Sequence, residues 1–182
     1  MDKVITFTRI FSDYHIRRGE PTYFVEQILN NLSNQNINCN VIHVEKQLGH
    51  TLLAGFRTKC GSKGHTIRSG YNWSVGDKFS VGIWLDKPNV SEMLILEPII
   101  EIKKIWTFDC DDNGEIKVDG ICIDLKLIEK IAKNDGLSLQ DFEEWLIVPC
   151  RKAKKPFNGQ IICWDEAIKY ELHSLNLKDN TY

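Results

Sequence analysis

Apolar and polar positions along the first part of the chain predict a strand followed by a helix. Residues 3–10 alternate well enough for a first β-strand. Residues 23–32 carry apolar side chains at helical spacing, and Pro21 precedes them where a proline does not disturb a helix. A second short strand is expected at 41–44. The chain therefore begins with mixed secondary structure.

The middle of the chain changes from an irregular pattern to a β pattern. Segment 45–72 shows little periodicity and is rich in glycine and basic residues, so we expect an irregular segment with one short strand at 65–68. Three later runs predict further strands, namely 78–85, 93–108 with a bend near Glu97-Pro98, and 115–123 after a turn at 111–114.

The last part of the chain predicts two helices and a closing strand. An amphipathic helix over 125–133 ends at Asp135-Gly136, where glycine supplies a left-handed cap. A second helix over 139–146 begins after Ser138, a typical N-cap residue. Residues 157–164 predict the final strand. Early strands, a late helix pair and a last strand indicate an α+β barrel rather than a parallel α/β fold.

Length and composition limit the classes of protein to consider. A chain of 182 residues builds one sizeable core, so we expect a single domain over 1–182. The formal net charge of -2 means that any polyanion would meet only a local basic patch. We expect no targeting segment and no membrane partner.

The six cysteines are widely spaced, which predicts reduced thiols in the cytoplasm rather than a disulfide framework. Neither the cysteines nor the histidines show metal-ligand spacing. We therefore expect no metal and no cofactor.

Residues 61–68, with the sequence Gly-Ser-Lys-Gly-His-Thr-Ile-Arg, carry the most informative pattern. Their two glycines let a backbone approach a ligand closely. In an extended strand, Thr66 and Arg68 lie on one face because side chains alternate with period two. Lys63 reaches the same place from the glycine turn. Without further support, the segment is a solvated basic loop that enters a strand.

The pattern Gly-x-Lys-x-x-Thr-x-Arg in this segment matches the signature of ASCH domains, a PUA-related family, at all four fixed positions. Segments 73–79 and 132–142 resemble the family's Gly-Asp strand start and its late helix–turn–helix. The resemblance covers roughly residues 60–165 and the first strand. It implies a PUA-like mixed β-barrel flanked by short helices.

Two parts of the chain lie outside this resemblance. Residues 21–59 exceed the smallest family members, so we expect a helix-containing insertion there. Residues 172–182 are expected to form a flexible tail.

The small ASCH enzymes hydrolyse the acetyl amide on the exocyclic amine of acetylcytidine, with a lysine, a threonine and an acid. By resemblance these catalytic roles fall on Lys63, Thr66 and Asp135. The family acid is a glutamate, and an aspartate is shorter by about 1.5 Å. Asp135 is therefore either the acid or only a helix terminator. A non-catalytic RNA-binding module and, more distantly, a protein-interaction domain remain alternatives.

The chemistry of these residue types fits an amidohydrolase. A threonine hydroxyl needs a neighbouring base before it attacks a carbonyl. Lys63 serves as that base only if burial or a nearby cation such as Arg68 lowers its pKa. The leaving amine needs a proton, which the acid either delivers or relays. Backbone N–H groups around Gly61 and Gly64 are expected to hold the tetrahedral oxyanion.

Further residues are predicted to bind RNA or a modified nucleoside. Tyr71 and Trp73 follow the motif in a polar turn, where an aromatic ring stacks on a base. Arg57 and Lys59 extend a basic cluster suited to phosphates. His65 is either a ligand contact or a structural histidine. The full predicted binding set is Gly61, Gly64, His65, Arg68, Tyr71, Trp73, Lys59 and Arg57.

Overall fold

A computed structural model describes residues 3–40, 44–46, 60–84 and 92–172. The strands are β1 (Lys3–Phe7), β2 (His65–Ser69), β3 (Lys78–Trp84), β4 (Met93–Glu101), β5 (Lys104–Cys110), β6 (Ile116–Val118), β7 (Ile121–Cys122) and β8 (Phe157–Cys163). The main helices are α1 (Phe24–Asn34), α2 (Leu125–Asn134), α3 (Leu139–Phe142) and α4 (Val148–Ala153), and a π-helical turn (Glu143–Ile147) joins the last two. Residues 44–46 are also helical. The strand expected at 41–44 and the tail expected at 172–182 lie almost wholly outside the described residues.

The strands form two sheets. One has the order β1-β3-β4, with β1 parallel and β4 antiparallel to β3. The other has the order β2-β8-β5-β6-β7 and is antiparallel throughout. The predicted α+β class is confirmed. The strands of the described residues do not close into one barrel, and β8 is an interior strand of its sheet, between β2 and β5.

The two sheets meet at a two-residue link between β4 and β5. The Ile102 N–H donates to the Asp77 carbonyl at 2.9 Å, and the Lys103 N–H donates to the Cys163 carbonyl at 2.8 Å. One peptide amide thus bonds toward the first sheet and the next bonds to the second. Ile102 is fully buried, which anchors this corner in the core.

An irregularity lies at the predicted bend near Glu97-Pro98, but the run does not divide into two strands there, because β4 continues past it. The pairing with β3 shifts there, from Phe79 opposite Ile100 to Val81 opposite Leu96. This shift is a β-bulge, which tolerates a proline because not every residue in it donates to the neighbouring strand. The true break between the strands lies at the link described above.

The late helices begin as predicted and extend further. Gly136 has a φ of +77°, as expected for the residue after a helix end. The Ser138 hydroxyl accepts from the Asp141 N–H at 3.1 Å, which confirms the N-cap.

The helix expected to end at 146 continues through the π-helical turn into α4. Pro149 fits because it lies in the first turn of α4, where its missing N–H is not needed. The exposed basic run Arg151–Lys155 begins in α4, and Arg151 Nε donates to the Asn113 carbonyl at 2.8 Å.

Two further features of the structure concern the cysteines and the length of the helices. All six cysteines are free in the structure. Among the described residues, every helix is too short or too polar to cross a bilayer.

Candidate functional site

A cavity of about 200 Å³ opens between the two sheets, α1 and the late helices. Lys63, Thr66, Arg68 and Asp135 all contribute to its wall. The other lining residues are mostly apolar, and they are Thr6, Phe7, Thr8, Phe24, Ile67, Trp84, Leu137, Trp145 and Leu146. Four of the residues singled out by the sequence therefore share one partly apolar pocket.

Main-chain bonds fix the loop that carries Lys63. The Lys63 N–H donates to the Gln27 carbonyl in α1 at 3.1 Å, and the Gly64 N–H donates to the Asn134 carbonyl in α2 at 3.0 Å. A Cβ at Gly64 would lie 2.6 Å from Ile168 Cδ1, so this approach requires glycine. The loop is thus held between two helices that are distant in sequence.

The turn that carries Asp135 is held from the same side. Gln27 Nε2 donates to the Gly136 carbonyl at 3.1 Å. A Cβ at Gly136 would lie 2.2 Å from Gln27 Oε1. Gln27 therefore contacts both the lysine loop and the aspartate turn, although it lies within the segment predicted to be an insertion.

Lys63 and Asp135 form a buried ion pair. The Lys63 ammonium donates to the Asp135 carboxylate and also to the Asp135 main-chain carbonyl. Only 1% of Lys63 and 6% of Asp135 is exposed. The Lys63 Nζ also lies 4.4 Å from the ring centroid of Phe24 and 5.6 Å from that of Phe7, within range for cation–π attraction.

Burial changes the protonation of both partners. It lowers the pKa of Lys63 to about 8, against the opposing pull of Asp135 and with a smaller contribution from Arg68. Burial also raises the pKa of Asp135, although the charges of Lys63 and Arg68 act in the opposite direction. Desolvation disfavours the charged form of both groups. The neutral forms of the lysine and the aspartate are therefore more accessible than at an exposed site.

Thr66 and Arg68 lie on the same face of β2, as period-two alternation predicts. Arg68 Nη2 donates to the Thr6 carbonyl at 2.6 Å, and its guanidinium lies 5.1 Å from the Phe7 ring centroid. Thr66 is 3% exposed. Among the described residues, no hydrogen bond joins the Lys63 ammonium to the Thr66 hydroxyl.

Two of the predicted ligand contacts do not fit the structure. His65 is fully buried and lies outside the pocket wall, where its Nε2 bonds the Tyr170 hydroxyl at 2.8 Å. It does not contact a ligand directly, because neither a base nor a phosphate reaches it. The Gly64 amide already donates to Asn134, so it is not available to an oxyanion.

Three of the remaining predicted binding residues lie away from the pocket. Gly61 is exposed, with a φ of +88°, and is not part of the wall. Tyr71 is 56% exposed, and its hydroxyl donates to Asp109 at 3.1 Å. Trp73 is half-buried against Phe79. The predicted contacts Arg57 and Lys59 lie outside the described residues.

Sequence reasoning missed the aromatic wall of the pocket. Phe7, Phe24 and Trp145 come from β1, α1 and the π-helical turn, and each fits an ordinary core pattern in its own element. These elements lie beside the motif only in the folded structure, so a single sequence contains no signal that assigns the three residues to the pocket. Gln27 was missed for the same reason.

Comparison of the chain with protein-family models, with curated proteins and with solved structures finds no match. In the part of the chain that the structure describes, no cluster of three or more acidic, histidine or cysteine side chains is arranged to hold a metal ion. Function must therefore be argued from the pocket itself.

Proposed function

We propose that this chain is a cytoplasmic ASCH-type amidohydrolase that removes an acyl group from the exocyclic amine of a modified cytidine. The observation that carries this proposal is the buried Lys63–Asp135 pair in one pocket with Thr66 and Arg68. A lysine with a pKa of about 8 is neutral in about a tenth of molecules at neutral pH, which a general base requires.

The size and lining of the pocket support a small substrate. Its volume of about 200 Å³ is below the roughly 300–1,000 Å³ of drug-sized sites, so it encloses a base and its acyl group rather than several nucleotides. Its aromatic wall residues suit a planar base.

The proposed reaction begins with attack by Thr66. Its Oγ1 forms a bond to the acyl carbon while neutral Lys63 accepts the hydroxyl proton. The guanidinium of Arg68 stabilises the negative charge on the carbonyl oxygen. When the carbon–nitrogen bond breaks, the amine takes the proton back from the Lys63 ammonium.

A second half-reaction returns the enzyme to its starting state. Water attacks the acyl-threonine ester, and Lys63 again accepts a proton. Breaking the ester bond restores the Thr66 hydroxyl with that proton and releases the carboxylic acid. The net reaction is an amide plus water giving an amine plus an acid. Asp135 holds the ammonium form of Lys63 between proton transfers.

The decisive assay is hydrolysis of acetylcytidine and a panel of acylated nucleosides, followed by chromatography. We expect turnover that Lys63→Ala and Thr66→Ala abolish, whereas Thr66→Ser retains part of it because serine keeps the hydroxyl. Thr66→Ala should still bind the nucleoside, since the lost group acts mainly in the transition state. Full activity in Thr66→Ala would exclude threonine as the nucleophile.

An RNA-binding module is the second candidate, and the exposed ring of Tyr71 favours it. This residue follows β2 outside the pocket and is 56% exposed, so a base can stack on its ring. Affinity for single-stranded RNA should then fall steeply with salt, and Arg68→Ala or Lys59→Ala should flatten that dependence. Binding that is insensitive to salt would exclude this candidate.

The ASCH assignment is part of the proposal. Its support is the four-residue signature, the placement of Thr66 and Arg68 on one strand face, and the late helix–turn–helix that delivers Asp135. The PUA-like barrel would require closure of the two sheets, which already share the corner at Ile102 and Lys103.

A further inference from the structure

A buried histidine lies directly behind the aspartate of the pocket. His65 Nδ1 is 3.8 Å from Asp135 Oδ1, too far for a hydrogen bond. This nitrogen is completely buried and has no hydrogen-bond partner among the described residues. A buried polar atom without a partner is uncommon and calls for an explanation.

The other side of the ring determines where the histidine carries its proton. Asn134 Nδ2 donates to the Tyr170 hydroxyl oxygen at 2.9 Å. The Tyr170 O–H then donates to His65 Nε2, which lies 2.8 Å away. With the Asn134 amide in this orientation, the opposite arrangement would leave the phenol proton with no acceptor in the described part of the chain. His65 Nε2 is therefore an acceptor.

The imidazole is also neutral. Burial, and then the nearby charge of Lys63, hold the pKa of His65 well below its usual value. A neutral imidazole carries one proton. Since Nε2 accepts, the proton is on Nδ1, and the N–H faces the Asp135 carboxylate.

We propose that His65 is a positioning residue that becomes the hydrogen-bond donor to Asp135 when Lys63 turns away toward Thr66. This inference rests on the proposed function, in which the lysine nitrogen must approach the threonine hydroxyl. That movement would leave a buried carboxylate without its main donor, which is costly. Closing the 3.8 Å gap to an ordinary bond of about 3.0 Å needs a shift of roughly 0.8 Å.

The surroundings of Asp135 make His65 the suitable replacement. The charged groups that act on the carboxylate are Lys63 and Arg68. Arg68 already donates to the Thr6 carbonyl and is needed at the substrate. The Tyr170 hydroxyl is committed to His65. His65 Nδ1 is an unpartnered buried nitrogen 3.8 Å from this carboxylate.

Two substitutions of His65 distinguish the roles of its two ring nitrogens. In His65→Asn the amide nitrogen can occupy nearly the position of Nδ1, so the donor to Asp135 is kept. In His65→Gln the longer amide reaches toward Tyr170 and the donor to Asp135 is lost. With acetylcytidine, we expect kcat of His65→Gln to fall about ten- to a hundredfold with little change in KM. His65→Asn should stay much closer to the wild type.

Equal losses in the two variants, or a larger loss in His65→Asn, would overturn the proposal. Urea unfolding of both variants shows whether a loss of activity reflects a loss of folding. A larger loss of unfolding free energy in His65→Asn than in His65→Gln, with kcat still ordered as expected, would support a positioning role rather than a merely structural one.

A second measurement needs no substrate. Nitrogen NMR of the wild-type protein with labelled histidine reports which ring nitrogen carries the proton, and His65→Gln assigns one of the five histidines. We expect neutral His65 with its proton on Nδ1. As the pH rises through about 8 and Lys63 loses its proton, the Nδ1 proton resonance should move downfield because the bond to Asp135 shortens.

A proton on Nε2, or an Nδ1 resonance that does not respond to the titration of Lys63, would overturn the inference. Absence of hydrolysis together with the expected NMR response would instead refute the proposed function and leave the link between His65 and Asp135 standing. The two failures are therefore distinguishable.

Discussion

The buried ion pair between Lys63 and Asp135 gives the sharpest test of the structure, because it requires no substrate. Lys63→Met removes the ammonium and leaves a carboxylate that is 6% exposed without its main partner. Removing one partner of a buried pair costs about 3–5 kcal/mol of unfolding free energy. Replacing both partners, as Lys63→Met with Asp135→Leu, is expected to be neutral or stabilising by about 1–4 kcal/mol.

The assay is urea unfolding followed by tryptophan fluorescence, since Trp164 is 1% exposed and reports on the core. We expect the double variant to be several kcal/mol more stable than the sum of the two single changes. Independent sites add within about 0.5 kcal/mol. Additivity within that range would refute the buried pair as it is described here.

The pH dependence of the unfolding free energy of Lys63→Met gives an independent check on the buried pair. Without Lys63, the pKa of Asp135 loses its largest lowering influence and rises further. A group whose folded pKa lies above its unfolded value stabilises the fold in acid, and that contribution is lost as the pH rises through the folded pKa. The penalty of Lys63→Met should therefore be smaller in mildly acidic than in mildly alkaline buffer. A penalty that grows in acid would contradict the assignment.

The remaining predictions concern activity and packing. Because neutral Lys63 is the active base, kcat/KM should rise with pH through a midpoint near 8, and a flat or falling profile would exclude it. Arg68→Lys should lower kcat about a hundredfold, because lysine keeps the charge but loses the guanidinium that donates to Thr6 and faces the substrate; activity close to that of the wild type would exclude Arg68 from the oxyanion site. Gly64→Ala should lower the unfolding free energy by about 1–3 kcal/mol, since its Cβ would lie 2.6 Å from Ile168 Cδ1. Adding Ile168→Ala should recover part of that loss in urea titrations.

The sequence predicted the local features of the site well. The strand at His65–Ser69, the shared face of Thr66 and Arg68, and the helix end before Gly136 all follow from rules that act within a few residues. Alternation and glycine caps depend on local backbone geometry, so one sequence is sufficient to predict them.

Features that depend on distant contacts were missed or misplaced. The placement of β8 between β2 and β5 and the corner at Ile102 are decided by pairing between strands far apart in sequence. Pro98 suggested a bend between two strands, but β4 continues through this position as a β-bulge. His65 was left open between two roles because only burial distinguishes them. Its partner Tyr170 lies 105 positions away along the chain.

Helix α1 has a consequence for any attempt to reduce this protein to a minimal size. Phe24 covers the Lys63 ammonium, and Gln27 is bonded to both the lysine loop and the aspartate turn. Excising this helix as a dispensable addition would admit water to the lysine and let its pKa return toward 10.5. A shortened chain that still folded would keep every residue of the signature and yet hold a fully protonated, unreactive lysine at neutral pH.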